Sequence, residues 1–131
     1  MNKQYRAAFT SDIRNVAVAR QGIAGFAAGC GFSEHDVADI RLAAGEALSN
    51  AVEHGCGTAA QKVSVHCLFD GAVLAIEIRN SGRGFVEPAD CPRVEPDERG
   101  RGFGIFLMRR LMDEVTFARS GTIVRMLRRR S

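Results

Sequence analysis

The chain has no tryptophan, one tyrosine and three prolines. With so few large rings beside its phenylalanines, it lacks the aromatic platforms on which nucleic-acid binders stack bases. Net charge is also small: +3 over 131 residues is too little to mark a polyanion-binding face. Much of that excess lies in Arg125, Arg128, Arg129 and Arg130, which read as a solvated basic tail. The four cysteines, Cys30, Cys56, Cys67 and Cys91, form no CxxC knuckle, so they read as reduced structural thiols rather than zinc ligands or a disulfide framework. No apolar run approaches the roughly 20 residues that cross a bilayer. No apolar stretch follows the polar start Met1-Asn2-Lys3-Gln4-Tyr5-Arg6. A cytoplasmic protein with no membrane partner is expected.

What is present is the mixture of a globular protein, with 46% hydrophobic and 25% charged residues. At this length a single domain over residues 1–131 is expected. Tyr5, Ala7 and Phe9 alternate as one face of a first strand. Thr10, Ser11 and Asp12 offer an N-cap, after which Ile13, Val16, Ala17, Ile23, Phe26, Ala27 and Cys30 recur at helical spacing. Ser33 caps a second helix, with Asp36 at the capping-box position and Ile40, Ala44, Ala47 and Ala51 as its apolar seam. Val63, Val65, Cys67 and Phe69 alternate in one strand, and Leu74, Ile76 and Ile78 in the next. Asp70-Gly71 predicts the type I′ turn between them. Residues 85–101, with all three prolines and five acids, read as a long functional loop. A third helix carries Met108, Leu111 and Met112, and a hairpin from Val115 to Arg128 turns at Ser120-Gly121. The order predicts an α+β two-layer sandwich, a mostly antiparallel mixed sheet with helices on one face.

Three polar clusters are candidates for chemistry. At 100° per residue, Glu46, Asn50 and Glu53 fall within an arc of about 60°, widened to about 100° by His54, beside the apolar seam. A solvated helix face looks like this. So does a carboxylate base with an amide oxygen one turn away, a pair able to activate a hydroxyl and hold magnesium. The second cluster is Asn80-Ser81-Gly82-Arg83-Gly84. Asn80 continues the inward phase of Leu74, Ile76 and Ile78, so its amide needs a buried partner or a ligand. A strand ending in an ordinary glycine turn is the plainer reading. In the third cluster, Gly100, Gly102 and Gly104 precede a helix, where free amides and the helix dipole suit a phosphate and Arg99 or Arg101 adds charge. The order of elements does not fit a dinucleotide-binding βαβ unit, and no lysine follows as a P-loop requires.

Taken in order, Glu46-Ala47-Leu48-Ser49-Asn50-Ala51-Val52-Glu53-His54-Gly55, Asn80-Ser81-Gly82-Arg83-Gly84 and Gly100-Arg101-Gly102-Phe103-Gly104 resemble the asparagine box and two glycine boxes of the Bergerat-fold ATPases. These form the gyrase, histidine-kinase and MutL superfamily. Within it the chain looks most like the small anti-sigma-factor serine/threonine kinases of bacterial partner switching, over nearly its whole length. The resemblance implies a Bergerat ATP-binding fold that uses ATP and magnesium. Glu46 would be the base that deprotonates a substrate hydroxyl, and Asn50 the magnesium ligand. Asn80, Gly82 and Gly84 would meet the adenine, while Gly100, Arg101, Gly102 and Gly104 would hold the phosphates under a lid at about 85–101. It further implies a sigma factor and a STAS-domain antagonist as partners, homodimerisation, and no direct contact with nucleic acid. A histidine-kinase catalytic domain would need a phosphoacceptor helix for which no residues are left over. The family's first glycine box begins with Asp where this chain has Asn80. That departure implies looser adenine selectivity or, as the alternative function, a non-catalytic partner-binding module with a degenerate nucleotide site.

Overall fold

The computed structural model describes residues 2–54, 62–80, 101–118 and 122–130, without the side chains of 54 and 101–103. The elements are β1 (Lys3–Thr10), a 3-10 turn (Ile13–Asn15), α1 (Val16–Gly29), α2 (Glu34–His54), β2 (Lys62–Phe69), β3 (Val73–Asn80), α3 (Arg101–Leu111), β4 (Glu114–Ala118) and β5 (Ile123–Arg129). The strands form one sheet in the order β1-β2-β3-β5-β4. All four pairings are antiparallel, so the described sheet has no mixed component.

Alternation determines the layers. Val63, Val65, Cys67 and Phe69 of β2 are buried, as are Leu74, Ile76 and Ile78 of β3 and Val124 and Met126 of β5. They pack against Ile23 of α1, Ile40, Ala44 and Leu48 of α2 and Met108 of α3 in one core. Tyr5, Ala7 and Phe9 of β1 cover its margin, as their spacing predicts. The small residues of the α2 seam let that helix lie between α1 and α3 and over the sheet. Ser33 Oγ accepts from the Asp36 N–H at 3.1 Å, so the expected N-cap is formed. At the end of α1, Gly31 adopts φ 92°. Its N–H donates to Ala28 O, and the Phe32 N–H to Ala27 O, which together make a Schellman motif.

Several expectations need correction. Asp12 does cap a helix, accepting from the Arg14 N–H at 2.8 Å, but the helix is the 3-10 turn. Because α1 starts at Val16, its inner face is Val16, Ala19, Ile23, Ala24 and Ala27. Ile13 is 59% exposed and Ala17 faces solvent. The β2–β3 turn lies one residue later than expected. Asp70 and Val73 close it through the Asp70 N–H to Val73 O, and Gly71, at φ 101°, is the first central residue, as in a II′ turn. Asp70 acts instead through its carboxylate, which accepts from the Ala72 and Val73 N–H groups at 2.9 and 2.8 Å.

The basic C-terminus is not a solvated tail. Arg128 continues the inward phase of Val124 and Met126, and Nη2 donates to Asp36 Oδ1 at 2.6 Å and Asp39 Oδ2 at 3.2 Å. Its other terminal nitrogen donates to Leu111 O at the end of α3. Arg130 lies over the Phe69 ring at 5.3 Å and donates to Cys30 O at 2.9 Å, at the C-terminus of α1. Cys30 and Cys67 are buried free thiols, and burial pushes Cys67 up to about 12. Cys56, Cys91, Gly82, Gly84, Gly100, most of the 85–101 loop and the Ser120-Gly121 turn lie outside the described residues.

Candidate active site

Of the residues singled out in the sequence, the structure brings Glu46 and Asn50 of α2 against Gly104 of α3, and places Asn80 two positions beyond Ile78, which lines the adjoining cavity. Glu46 and Asn50 stand one turn apart on α2, both partly buried, whereas Glu53 is exposed. The stripe is therefore divided: its upper part lines a cleft and Glu53 faces solvent. Arg101, Gly102 and Gly104 belong to the first turn of α3 rather than to a loop before it. Gly104 is buried, and a Cβ there would lie 2.9 Å from Glu46 Oε1 and 3.9 Å from Asn50 Nδ2. A side chain here would force the carboxylate of Glu46 to turn aside, so glycine lets the start of α3 meet it in this rotamer. That start also carries the positive end of the helix dipole and free backbone N–H groups.

Beside this contact is a cavity of about 260 Å³, lined by Ala47, Asn50 and Ala51 of α2, Ile78 of β3, Ile105 and Met108 of α3, and Phe117, Thr122 and Val124 of the C-terminal hairpin. Its wall is mostly apolar, with few polar groups, the usual character of a small-molecule site. Asn80 is not a lining residue; it follows Ile78 by two positions on the same face of β3. Its N–H donates to Thr122 O at 2.8 Å, and its Oδ1 is buried without a hydrogen-bond partner. An orphaned buried acceptor costs about 1–3 kcal/mol unless a donor is supplied from outside the chain. An apolar cavity, this orphan acceptor, an amide oxygen donor of the kind magnesium accepts, and a cradle that a Cβ would fill together suit a nucleotide with its metal.

Sequence spacing missed the contribution of the hairpin. Phe117, Thr122 and Val124 reach the cavity only because β5 pairs with β3, and no local pattern announces that pairing. Arg20 of α1 is another residue that no local pattern singles out. Its Cδ would meet a Cβ on Gly45 at 3.0 Å, so the side chain crosses α2 one residue before Glu46, and its Nε is buried without a partner. The alternation of Val124, Met126 and Arg128 was the available signal for an inward arginine.

A cavity between helices and an antiparallel sheet, with a carboxylate-amide pair facing a glycine at a helix start, defines a nucleotide-binding α+β domain. The chain belongs to the histidine kinase-like ATPase domain family, whose model matches residues 9–128. An ATPase-like domain implies the use of ATP. The chain is 30% identical over 127 residues to the anti-sigma F factor of Thermoanaerobacter sp. (strain X514), covering 90% of this chain and 87% of that protein. It is 28% identical over 109 residues to the serine-protein kinase RsbW of Listeria monocytogenes serotype 4a (strain HCC23), covering 76% and 69%. The crystal structure of the RsbU and RsbW domains of a Mycobacterium tuberculosis protein superposes with a TM-score of 0.64 at 18% identity. That likeness covers 98% of this chain but 32% of the longer one, and it bears on the fold. Among the described residues, no helix is long and apolar enough to cross a membrane.

Proposed function

We propose that the chain is an ATP-binding serine/threonine protein kinase that also acts as an anti-sigma factor in a bacterial partner-switching system. Family membership and the names of the relatives support this reading. The observation that carries it is the approach of Gly104 to Glu46 and Asn50, which joins the start of α3 to the polar pair of α2 in one cleft. Bound ATP with Mg²⁺ supplies the transferable phosphoryl group. Glu46 accepts the proton of an incoming serine or threonine hydroxyl. The hydroxyl oxygen bonds to the γ-phosphorus as the bond to the bridging oxygen breaks, leaving ADP. Asn50 gives an amide oxygen to the metal. The backbone of Gly100, Arg101, Gly102 and Gly104 binds the phosphates, and Asn80, Gly82 and Gly84 bind the base, with residues 85–101 as the lid.

The hydroxyl belongs to a STAS-domain antagonist, and the second partner is a sigma factor; the active species is a cytoplasmic homodimer. The non-catalytic alternative is not favoured, because a serine-protein kinase stands among the relatives and Glu46 and Asn50 are both present.

The test is phosphotransfer from labelled ATP to a purified STAS antagonist by the Glu46→Gln protein. Loss by about 10²–10⁴, the usual contribution of a positioned base, with ATP affinity within about threefold, is expected. Undiminished phosphotransfer would remove Glu46 from the role of base.

A further inference from the structure

Asn80 ends β3 in the phase of Leu74, Ile76 and Ile78, all buried on the helix side of the sheet. Ile78 lines the cavity, and the Asn80 N–H is bonded to the carbonyl of Thr122, which lines it too. Asn80 also pairs with Val63 of β2, so its backbone is held from both sides, and its side chain is in phase with Ile78 on the helix side of the sheet. There its Oδ1 is buried and lacks a donor. Asn80 is not itself a lining residue, but it is bonded to Thr122 and stands two positions from Ile78, both of which line the cavity; the other orphaned buried polar atoms among the described residues, Ser11 Oγ and Arg20 Nε, belong to the segment at and before α1. The unfilled bonding capacity that adjoins the apolar cavity is an amide's.

We infer that Asn80 sets the base selectivity of the site and, being an amide, admits adenine and guanine nucleotides with comparable affinity. This inference rests on the nucleotide reading given above. An apolar cavity recognises the flat face of a heterocycle, which all purines share, so discrimination falls to the polar groups at its margin. Adenine presents a donor at N6 and an acceptor at N1. Guanine presents the reverse, an acceptor at O6 and a donor at N1. A carboxylate only accepts, so where it faces the 6-position of the purine it satisfies the adenine N6–H and repels guanine O6. An amide both accepts and donates. With Oδ1 toward N6 and Nδ2 toward N1 it pairs with adenine, and a half-turn about its last side-chain bond pairs it with guanine O6 and N1.

The experiment is a calorimetric titration of the full chain with the magnesium complexes of ATP, GTP and ITP, repeated on Asn80→Asp. For the wild type, ATP and GTP dissociation constants within about tenfold of each other are expected, because each base makes two neutral hydrogen bonds. ITP, which keeps O6 and the N1 donor but lacks the 2-amino group, should bind like GTP. Asn80→Asp should shift the ratio toward ATP by at least about tenfold, since a charge-assisted bond replaces a neutral one and guanine O6 then faces a carboxylate. A wild-type preference for ATP above about a hundredfold overturns the inference, a comparison that needs no variant. An unchanged ratio in a folded Asn80→Asp protein, or nucleotide binding by that variant alone, overturns it as well. Failure of both proteins to bind any nucleotide overturns the nucleotide reading itself, a result distinct from the others.

Discussion

Arg128 of β5 and Asp36 in the first turn of α2 are joined at 2.6 Å, although 92 residues separate them in the chain. Their side chains are only 16% and 12% exposed, so neither charge is well served by water. The same guanidinium reaches Asp39 and the last carbonyl of α3. One side chain therefore ties the sheet to both helices that carry the site, at the ends remote from it.

Removing that cation should be costly. Arg128→Met leaves Asp36 and Asp39 without this partner in a semi-buried setting, for which a loss of about 3–5 kcal/mol is typical. The check is urea unfolding monitored by far-UV circular dichroism. A loss below about 1 kcal/mol would mean that the pair is only a surface bridge. A loss in the double variant Arg128→Met, Asp36→Leu smaller than the sum of the two single losses is expected, because the two side chains interact directly.

Gly104 separates activity from stability. In Gly104→Ala the new Cβ would lie 2.9 Å from Glu46 Oε1, so α3 or the carboxylate must shift. Phosphotransfer should fall measurably, because the carboxylate must turn aside by a few tenths of an ångström and a reacting group is sensitive to its placement. Gly25 is the control. Nothing lies within 4 Å of a Cβ built there, so Gly25→Ala in α1 should raise stability by about 0.4–1 kcal/mol and leave phosphotransfer unchanged. Equal activity in the two variants would dissociate Gly104 from the site.

Acid should weaken the fold in a defined direction. The side chain of Arg14 and then its backbone N–H hold the Asp12 carboxyl at about 2, below its ordinary 3.8. The backbone N–H groups of Val73 and Ala72 lower Asp70 in the same way. A carboxyl depressed in the folded state takes up its proton first in the unfolded chain. The stability it gives is complete above the unfolded value and is lost as pH falls through the folded one. Urea midpoints should therefore drop between about pH 4 and pH 2, and Asp12→Asn should show a shallower drop. An identical pH dependence in Asp12→Asn and the parent protein would exclude Asp12 as a contributor.

Much of this molecule is legible in local pattern. The inward faces of β2 and β3 and the α2 seam follow from side-chain periods of 2 and 3.6, which short stretches of chain impose on themselves, and the Ser33 cap from its place before the seam. The turn at Asp70-Gly71-Ala72 shows where such reading stops. The residue types announce a tight turn, but its register is decided by which pair closes the ladder, and Phe69 facing Leu74 makes Gly71 the first central residue.

By itself, then, the sequence determined most of the elements, the buried faces of α2, β2 and β3 and the identity of the polar groups, because each is a property of neighbours along the chain. The tertiary structure alone decided that β5 inserts beside β3, bringing Phe117, Thr122 and Val124 to the cavity. It also decided that Arg128 turns inward to Asp36 and that Gly104 closes on Glu46. These are contacts between segments far apart in the chain, chosen by the packing of one shared core, and no local period encodes them.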